Sequence, residues 1–562
     1  MEFTGAQILI KCLKEEGVEM IFGYPGGRVL QLYDEIYQSG MHHILTRHEQ
    51  GAVHAADGYA RVTGRPGVCV TTSGPGATNA VTGIANAYMD SVPLVVFTGQ
   101  VHLAALGRDS FQEADISGIT MPITKHSYIL KDVNDVARIV KEAFYIATTG
   151  RPGPVLIDMP SDVLAASTKF EYPRMVNLRG YRVLHKVNLL QVNQAARMIN
   201  QSKRPVLYTG GGVVTSAAEK ELAALAEKVK IPVTNTLMGL GGFDGTSPLS
   251  LGMLGMHGTR YANYAVTNCD CLIAVGARFD DRVTGKIETF APEASVIHID
   301  IDPAEIGKNV RVNVPIVGDV RMVLQELIPR VDEVDDRSEW LGMIEEWKDA
   351  YPLSFDQGAD SIKPQYVVEQ IWEATKGEAI ITTEVGQNQM WAALFYKFKK
   401  PRTMVTSGGL GTMGFGFPSA IGAQFGRPDS VVFAIAGDGS FQMNSQELAT
   451  AVANKLPLNI AILNNGYLGM VRQWQELFWG RRYSHTDLRA VENFSPDFVK
   501  LAEAYGATGI RVERPDQVRP AIEKAIATPG PVLLDFVCDR EENVYPMVPP
   551  GGSINDMLGG CD

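Results

Sequence analysis

The sequence predicts an α/β protein made of three doubly wound parallel-sheet domains, with a Rossmann-like central domain. Three observations favour this fold class. Short β-branched runs end at glycines, helix-length segments with an apolar period near 3.6 separate them, and the first and last parts of the chain share a layout. The 562 residues are enough for about three or four domains of roughly 150 residues each.

The glycine-terminated runs mark the expected strands. In chain order they are VCVTTSGPGATN, PLVVFTGQ, PVLYTGGGV, CLIAVGAR, VVFAIAGDGS and NIAILNNG. Segments such as DVARIVKEAFYIATTG and SAAEKELAALAEKV lie between them and are expected to be helices. Parallel strands connected in this way end at one edge of a sheet, where ligands bind.

Two breaks in this pattern divide the chain into domains, one near residues 165–190 and an acid-rich one near residues 330–365. Both are expected to be connections. The first and last domains close on PGPVLIDMP and PGPVLLDFV, which indicates duplicated domains that flank a different central one. The expected domains are an N-terminal one at 1–165, a central one at 190–330, a C-terminal one at 365–540 and a tail at 541–562.

Composition and charge exclude several classes of protein. With 45% hydrophobic and 20% charged residues the chain is neither disordered nor fibrous. Its formal net charge is -12 and no run of basic residues could follow a nucleic-acid backbone. Apolar runs are much shorter than the roughly 20 residues of a membrane span, and the start of the chain is unlike a signal or transit peptide. The six cysteines lack disulfide or zinc spacing, which favours a reducing cytoplasm. Taken together, these observations predict a soluble cytoplasmic protein without nucleic-acid or membrane partners.

The strongest chemical signal lies where two expected strands end in GDG and NNG. Asp438 supplies a hard oxygen after the first strand, and the second strand ends at Asn464 and Asn465. Carboxylate and amide oxygens at neighbouring strand ends suit Mg²⁺, which shares its ligands with phosphates. Either segment alone is an ordinary turn, but together they match the thiamine diphosphate signature. Asn444 with Glu447 resembles a capping box that opens the next helix.

From Thr4 to about Met557 the chain resembles the catalytic subunits of acetohydroxyacid synthase, also called acetolactate synthase, which are thiamine diphosphate enzymes. Besides GDG…NN, the motifs that carry the resemblance are GYPGG, RHEQGA, SGPGATN, TGQV, FQEAD, LGMLGMHG, GARFDDRVTG, SGGLGTMGFG and VYPMVPPGG. The resemblance implies a transferase that decarboxylates pyruvate and ligates the hydroxyethyl group to pyruvate or 2-ketobutyrate. The products are 2-acetolactate or 2-aceto-2-hydroxybutyrate, at the first common step of branched-chain amino acid synthesis.

The resemblance also assigns the three domains to cofactors. The N-terminal domain binds the aminopyrimidine ring of thiamine diphosphate, the C-terminal domain binds its diphosphate, and the central domain binds FAD. Mg²⁺ would be held by Asp438, Asn465 and the carbonyl of Tyr467. The other residues implied to contact thiamine diphosphate are Gly386, Gln387, Gly411, Met413, Gly437, Gly439 and Ser440. For Met413, simple core packing is the alternative to wedging the cofactor into a bent shape.

Glu49 in RHEQGA matches the family's catalytic carboxylate. Thiamine chemistry needs the C2 proton of the cofactor removed, and a carboxyl group bonded to the aminopyrimidine ring promotes the tautomer that takes this proton. The alternative is a surface glutamate on a helix that begins near His48.

The resemblance implies four further catalytic residues, which are Gln112, Lys125, Arg282 and Trp474. The guanidinium of Arg282 can bind a carboxylate, and Trp474 with Met470 would shape the pocket of the second ketoacid. The same cavity would be lined by Gln100, Phe111, Gln112 and Met256. The alternatives are an apolar i,i+4 pair on a helix for the tryptophan and pairing with Asp280 or Asp281 for the arginine.

The central domain contains GGG, GARFDD and IHIDIDPAE at successive expected strand ends. A GGG motif alone is weak evidence for a dinucleotide, and a domain without nucleotide is the alternative. The resemblance assigns FAD to Arg151, Gly211, Gly212, Thr236, Leu237, Met256, Gly276, Arg278, Asp300 and Asp319. FAD performs no net redox work in this reaction, so its role would be structural.

In this family the active site forms between two chains, which implies a homodimer or homotetramer acting on small 2-ketoacids. A separate small regulatory subunit is common. Two other functions remain open, an FAD-dependent pyruvate oxidase-like enzyme and a non-enzymatic regulatory relative. The chain departs from the family at Arg28, His102, Ser161 and Asn388, and Asn388 is expected still to donate to a phosphate.

Overall fold

Three sheets of six parallel strands each form the framework of the protein, as a computed structural model shows for residues 1–183, 186–334 and 336–559. The predicted α/β fold class is confirmed, and the predicted glycine-terminated strands all lie within these sheets. Within the part of the chain that the structure describes, no helix is long and apolar enough to cross a membrane.

The N-terminal sheet has the order β3-β2-β4-β5-β7-β6, and β1 pairs antiparallel with β8 beside it. Its six strands are β2 (Met20–Gly23), β3 (His42–Leu45), β4 (Gly67–Thr71), β5 (Leu94–Gln100), β6 (His126–Ile129) and β7 (Pro154–Pro160), and the separate pair consists of β1 (Glu2–Thr4) and β8 (Ser167–Lys169). Its helices are α1 (Gly5–Glu15), α2 (Leu30–Ser39), α3 (Glu49–Thr63), α4 (Pro75–Asn79), α5 (Val81–Met89), α6 (Ile116–Thr120), α7 (Val136–Thr148) and α8 (Ser161–Ala165).

The central sheet has the order β11-β10-β9-β12-β13-β14, which is the strand order 3-2-1-4-5-6 of the Rossmann fold. Its strands are β9 (Pro205–Thr209), β10 (Val233–Asn235), β11 (Ser250–Met253), β12 (Cys271–Val275), β13 (Ser295–Asp300) and β14 (Val314–Val317). Its helices are α9 (Leu189–Gln201), α10 (Gly211–Thr215), α11 (Glu219–Val229), α12 (Arg260–Asn268), α13 (Asp281–Thr284), α14 (Val320–Leu327) and α15 (Ser338–Ala350).

The C-terminal sheet has the order β16-β15-β17-β18-β20-β19, the same topology as the N-terminal one. Its strands are β15 (Ile380–Thr383), β16 (Met404–Val405), β17 (Val432–Gly437), β18 (Leu458–Asn464), β19 (Thr508–Val512) and β20 (Val532–Val537). Its helices are α16 (Pro364–Thr375), α17 (Gln387–Phe395), α18 (Gly416–Gly426), α19 (Asp438–Phe441), α20 (Leu448–Ala453), α21 (Gly469–Phe478), α22 (Phe498–Tyr505) and α23 (Pro515–Ala527).

The duplication inferred from the sequence explains how the outer domains contact each other. Helices α3 and α18 each follow the second strand of their domain, and they pack against each other over much of their length. Small buried residues on both helices, among them Ala52, Ala55, Ala420 and Ala423, allow the two backbones to approach closely. The N- and C-terminal domains of one chain are therefore joined by a tight helix pair.

The two segments predicted as connections differ in structure. The acid-rich one contains α15, whose Trp340 is 2% exposed and donates from its indole N–H to the carbonyl of Pro205 at 3.1 Å. An amphipathic helix with a buried tryptophan therefore belongs to the core of the central domain. The earlier connection includes residues 184 and 185, which lie outside the described residues, as do residues 560–562 of the tail.

Candidate active site

The carboxyl edge of the C-terminal sheet brings the GDG and NN segments together. Strands β17 and β18 are parallel neighbours, with Gly437 opposite Leu463, so Asp438 and Asn465 begin adjacent loops. This is the arrangement that the sequence predicts, because neighbouring parallel strands end at the same edge.

Asp438 has the properties of an unsatisfied cation ligand. It is 2% exposed, and its Oδ1 accepts no hydrogen bond from protein atoms. Burial raises the pKa of this carboxyl to about 7. Because a buried charge without a partner is costly, the site fits a bound cation. Asn465 and Tyr467 are already joined, since the Tyr467 N–H donates to Asn465 Oδ1 at 3.0 Å.

A cation at this edge would need oxygen atoms from another source. Among the described residues, no group of three or more histidine, cysteine, aspartate or glutamate side chains could hold a metal ion. Mg²⁺ often takes one or two carboxylates and completes its shell with water and phosphate oxygens. The donor set therefore fits Mg²⁺ bound together with a diphosphate.

Gln387 and Ser440 frame the same edge with fixed side chains. The Gln387 amide donates to Gln473 Oε1 and to the Glu542 carbonyl, both at 2.9 Å. Ser440 Oγ accepts from the N–H of Gly437 at 3.2 Å. These bonds hold the loops after β15 and β17 in place.

The expectation for Asn388 is wrong. Its side-chain amide donates to the carbonyls of Glu384 and Ile435 at 3.1 and 3.0 Å. Because both N–H groups are used, the side-chain oxygen is the atom that faces Gly386 and Gly437. Asn388 therefore braces these loops and has no donor left for a phosphate.

The predicted capping box of Asn444 and Glu447 is also wrong. Asn444 makes no side-chain cap; its amide donates to the carbonyl of Gly414 at 2.6 Å. The Glu447 carboxylate instead reaches the N-terminal domain, where it accepts hydrogen bonds from Arg47 and His48. Tertiary contacts have displaced the local cap that the spacing suggested.

Glu384 is a buried acid that sequence reasoning missed. It is 0% exposed and accepts backbone N–H groups of Gly414 at 2.6 Å and Phe417 at 3.1 Å. Burial raises its pKa to about 7. The loop that it holds carries Gly411 and Met413. A signal for its role was available in the sequence, because Glu384 directly follows the β-branched run Ile380–Thr383.

A cavity of about 1660 Å³ opens between the three domains. All residues predicted to bind FAD line it, from Arg151 to Asp319. Six residues predicted to contact thiamine diphosphate or substrate also line it, namely Gly386, Gly411, Met413, Arg282, Met470 and Trp474. The volume exceeds the usual range of about 300–1,000 Å³ for small-molecule sites, so the space suits a dinucleotide together with a second ligand.

The floor of this cavity is formed by loops after the central strands, which pack with backbones in contact. A Cβ atom added at Gly212 would lie 2.6 Å from the Cα of Gly276, which has φ +57°. Only glycines permit this contact, in which the Gly212 N–H donates to the carbonyl of Gly276 at 3.0 Å. At the rim, Arg151 pairs with Asp302 at 3.2 Å and Glu305 at 2.8 Å.

Arg282 and Trp474 meet on the opposite wall. The Arg282 side chain is 63% exposed, and its guanidinium lies 5.9 Å from the centre of the indole ring. It also contacts Met256 Sδ at 3.6 Å, and its closest acid is Asp281 at 3.7 Å. A largely exposed cation beside an aromatic surface is suited to bind a small carboxylate.

The predicted residues that do not line the cavity fall into two groups. Glu49, Gln100, Phe111, Gln112 and Lys125 lie in the N-terminal domain, so within one chain the expectation that Gln100, Phe111 and Gln112 line this cavity is not met. The others are Gln387, Gly437, Asp438, Gly439, Ser440, Asn465 and Tyr467, at the diphosphate edge of the C-terminal sheet.

Glu49 is the first residue of α3, as predicted, and is 8% exposed. It accepts a hydrogen bond from Asn79 of the SGPGATN motif at 2.9 Å. Gln112 lies beside Gly74. Lys125 donates to the carbonyls of Ile146 and Thr149, and burial lowers its pKa to about 8. These contacts fix the ammonium of Lys125 within its own domain, and its catalytic role stays a prediction.

Comparison with known proteins places this site in a defined class. Three family models of thiamine pyrophosphate enzymes match the chain: the N-terminal TPP binding domain at residues 3–119, the central domain at 192–327 and the C-terminal TPP binding domain at 384–536. The fold and the site therefore define a thiamine pyrophosphate enzyme.

Curated relatives then identify the branch. The probable acetolactate synthase large subunit of Methanocaldococcus jannaschii is 53% identical over 99% of this chain and 95% of its own length. The acetolactate synthase large subunits of Corynebacterium glutamicum and Haemophilus influenzae are 51% and 46% identical over 99% of this chain and 90% and 98% of theirs. The chain belongs to the family of acetolactate synthase large subunits.

Proposed function

We propose that this protein decarboxylates pyruvate and ligates the hydroxyethyl group to a second pyruvate or to 2-ketobutyrate. The observation that carries the proposal is that Arg282 and Trp474 border the same cavity as Gly386, Gly411 and Met413. A carboxylate-binding cation thus faces the loops assigned to thiamine diphosphate, where a ketoacid would react.

Asp438, Asn465 and the Tyr467 carbonyl would hold Mg²⁺, and the loops of Gly386 and Gly437 would hold the diphosphate. When bound, thiamine diphosphate supplies the carbanion that attacks pyruvate and the electron sink that lets carbon dioxide leave. Glu49 exchanges a proton with the aminopyrimidine ring. Arg282 orients the carboxylate of the second ketoacid, and Trp474 and Met470 exclude water from its apolar end.

FAD is the proposed ligand of the central part of the cavity. The Rossmann strand order of the central sheet and the glycine backbone of Gly211, Gly212 and Gly276 along the cavity support a dinucleotide there. The residues predicted to bind FAD and those predicted to bind the ketoacid line one cavity, so FAD would lie beside the ketoacid pocket. Its role is structural, because the ligation needs no net electron transfer.

A second copy of the chain is proposed to complete each site. Glu49 lies outside the cavity that Arg282 and Met413 line, so one chain does not bring these residues together. A homodimer would place Glu49 of one chain against the diphosphate edge of the other, and two dimers would form a tetramer. The large-subunit relatives also suggest a separate small regulatory subunit as a partner.

The test is product analysis of the purified protein with pyruvate, thiamine diphosphate and Mg²⁺, with and without FAD. Acetolactate, acetaldehyde and oxygen uptake are measured together, and Glu49→Gln serves as the inactive control. Acetolactate without oxygen uptake supports the proposal. Acetate with oxygen consumption would instead assign the pyruvate oxidase-like reaction, and a fully active Glu49→Gln variant would remove the catalytic assignment.

A further inference from the structure

Glu447 is buried at the contact between the N- and C-terminal domains of one chain. It ends the 3-10 helix Ser445–Glu447 and is 0% exposed. Its carboxylate accepts the backbone N–H of Arg47 at 2.9 and 3.2 Å and that of His48 at 3.0 Å. A side chain of the C-terminal domain therefore binds the two peptide groups that precede Glu49.

The Glu447 carboxylate is itself held in one orientation. Thr450 Oγ1 donates to its Oε2 at 2.6 Å and lies 3.3 Å from the carbonyl of Leu45. A Cβ atom at Gly51 would lie 2.5 Å from Glu447 Oε1. The glycine of RHEQGA thus leaves space for this carboxylate.

Two side chains act at the start of α3: the imidazole of His48 accepts the N–H of Gln50 at 3.1 Å, and Glu447 accepts the N–H of His48 itself. The first N–H groups of a helix have no partner within it, and a negative charge near them is favourable. Glu49 is the first residue of α3, so the direction of its side chain depends on the two peptide units before it. A shift of about 1 Å in a reacting group can lower a rate by roughly 100-fold.

We propose that Glu447 is a positioning residue that fixes the Glu49 carboxylate by holding the N–H groups of Arg47 and His48. The inference rests on the proposed catalytic role of Glu49. It adds a cross-domain contact to the reaction, since a residue of the diphosphate-binding domain orients the acid that acts on the pyrimidine ring.

Two substitutions separate positioning from charge. Glu447→Ala removes the acceptor, whereas Glu447→Gln keeps an oxygen where Oε1 accepts both N–H groups. The measurements are the exchange rate of the cofactor C2 proton in D₂O, kcat for acetolactate, and the Kd of thiamine diphosphate. We expect exchange and kcat to fall by about 10- to 100-fold in Glu447→Ala and by less than about threefold in Glu447→Gln, with cofactor Kd changed by less than about threefold in both.

A double-mutant cycle shows whether Glu447 acts through Glu49. Adding Glu447→Ala to Glu49→Gln is expected to cause no further loss of C2 exchange, because the group that it positions is already gone. Independent, multiplicative losses would overturn the inference. The control is Glu523→Ala on α23, a 57% exposed glutamate that pairs with Arg519, which should leave all three measurements unchanged.

A second variant, Gly51→Ala, tests the same contact from the side of the N-terminal domain. If Glu447→Ala does not fold, Gly51→Ala displaces the carboxylate from its site and should reduce C2 exchange by about tenfold. Normal exchange in Gly51→Ala and in Glu447→Ala overturns the positioning role. An active Glu49→Gln variant overturns the catalytic role of Glu49 on which the inference rests. An inactive Glu49→Gln variant beside a normal Glu447→Ala variant overturns the positioning role alone.

Discussion

The guanidinium of Arg282 lies 5.9 Å from the ring centre of Trp474, although the two residues belong to the central and C-terminal domains. Neither domain alone forms this pair. The geometry of the pair therefore depends on how the two domains are placed, and the pair lies where the ketoacid carboxylate is proposed to bind.

Replacing Arg282 by glutamine should weaken binding of the second ketoacid more than decarboxylation of the first. The cation that holds the carboxylate is lost, so the released hydroxyethyl group is more often protonated than ligated. We expect kcat/KM for acetolactate to fall by about 10- to 100-fold, since charge-assisted hydrogen bonds contribute about 1.5–3 kcal/mol. The ratio of acetaldehyde to acetolactate, measured by chromatography, should rise; an unchanged ratio would argue against this role.

Asp438→Asn should abolish stabilisation by Mg²⁺ and thiamine diphosphate. In the unsubstituted protein, ligand at 100 times its Kd stabilises the fold by about 2.7 kcal/mol, which raises the melting temperature. The variant should lose this response, while its ligand-free form is at least as stable because an unpartnered buried charge is gone. Thermal scans with and without both ligands check this.

Asp429→Asn is the matched control, because Asp429 is exposed in the same domain. It should keep the full ligand response. An Asp438→Asn protein that is stabilised as strongly as this control would exclude Asp438 as a metal ligand.

Gly212→Ala should prevent flavin binding. The added methyl group would lie 2.6 Å from the Cα of Gly276, so the loops that form the cavity floor must separate. We expect at least about a tenfold loss of bound flavin per chain, measured by absorbance after desalting, because backbone contacts to a phosphate tolerate little displacement.

Gly342→Ala provides the comparison for this variant. Gly342 lies in α15 of the same domain, and nothing lies within 4 Å of the Cβ that would be added. The substitution should leave flavin content unchanged and raise stability by up to about 1 kcal/mol, because alanine favours a helix. Equal flavin in both variants would contradict the assignment of the cavity floor.

Asp158 should make the stability of the N-terminal domain depend on pH. Burial raises the pKa of its carboxyl to about 7, although Thr98 and the Gln100 amide donate to it at 2.7 and 2.9 Å. Since the folded pKa lies above the unfolded value, the stabilisation is complete below about pH 4 and is lost as the pH rises through about 7. Over this range the loss is on the order of 4 kcal/mol.

The measurement is the melting temperature between pH 5 and 8 at a fixed scan rate. The unsubstituted protein should lose stability more steeply with rising pH than Asp158→Asn, which cannot ionise. Parallel curves would show that Asp158 is already ionised in the folded protein at pH 5.

The parts of the site that the sequence predicts correctly depend on local signals. Glycines after β-branched runs located β17 and β18, and the parallel sheet then brought Asp438 and Asn465 to adjacent loops. The sequence also predicts that a helix begins near His48, and α3 begins at Glu49.

The parts that the sequence did not predict depend on contacts between distant segments. Glu447 looked like a local cap because its spacing from Asn444 fits one, but backbone donors of another domain compete for the carboxylate. Glu384 and the helix of Trp340 were missed for the same reason. Their roles depend on which distant loop or core packs against each of them. Hydrophobic periodicity and turn residues are local features and do not identify that partner.

The contact between the outer domains within one chain and the proposed contact between two chains respond differently to dilution. Because α3 and α18 are covalently linked, their pairing is intramolecular and has a high effective concentration that dilution does not change. A contact between two separate chains has no such tether, so it follows mass action. The Glu447 contact thus persists in a single chain. In the proposed homodimer, the meeting of Glu49 with the partner's diphosphate edge would disappear on dilution, and the enzyme would lose its activity before it loses its fold.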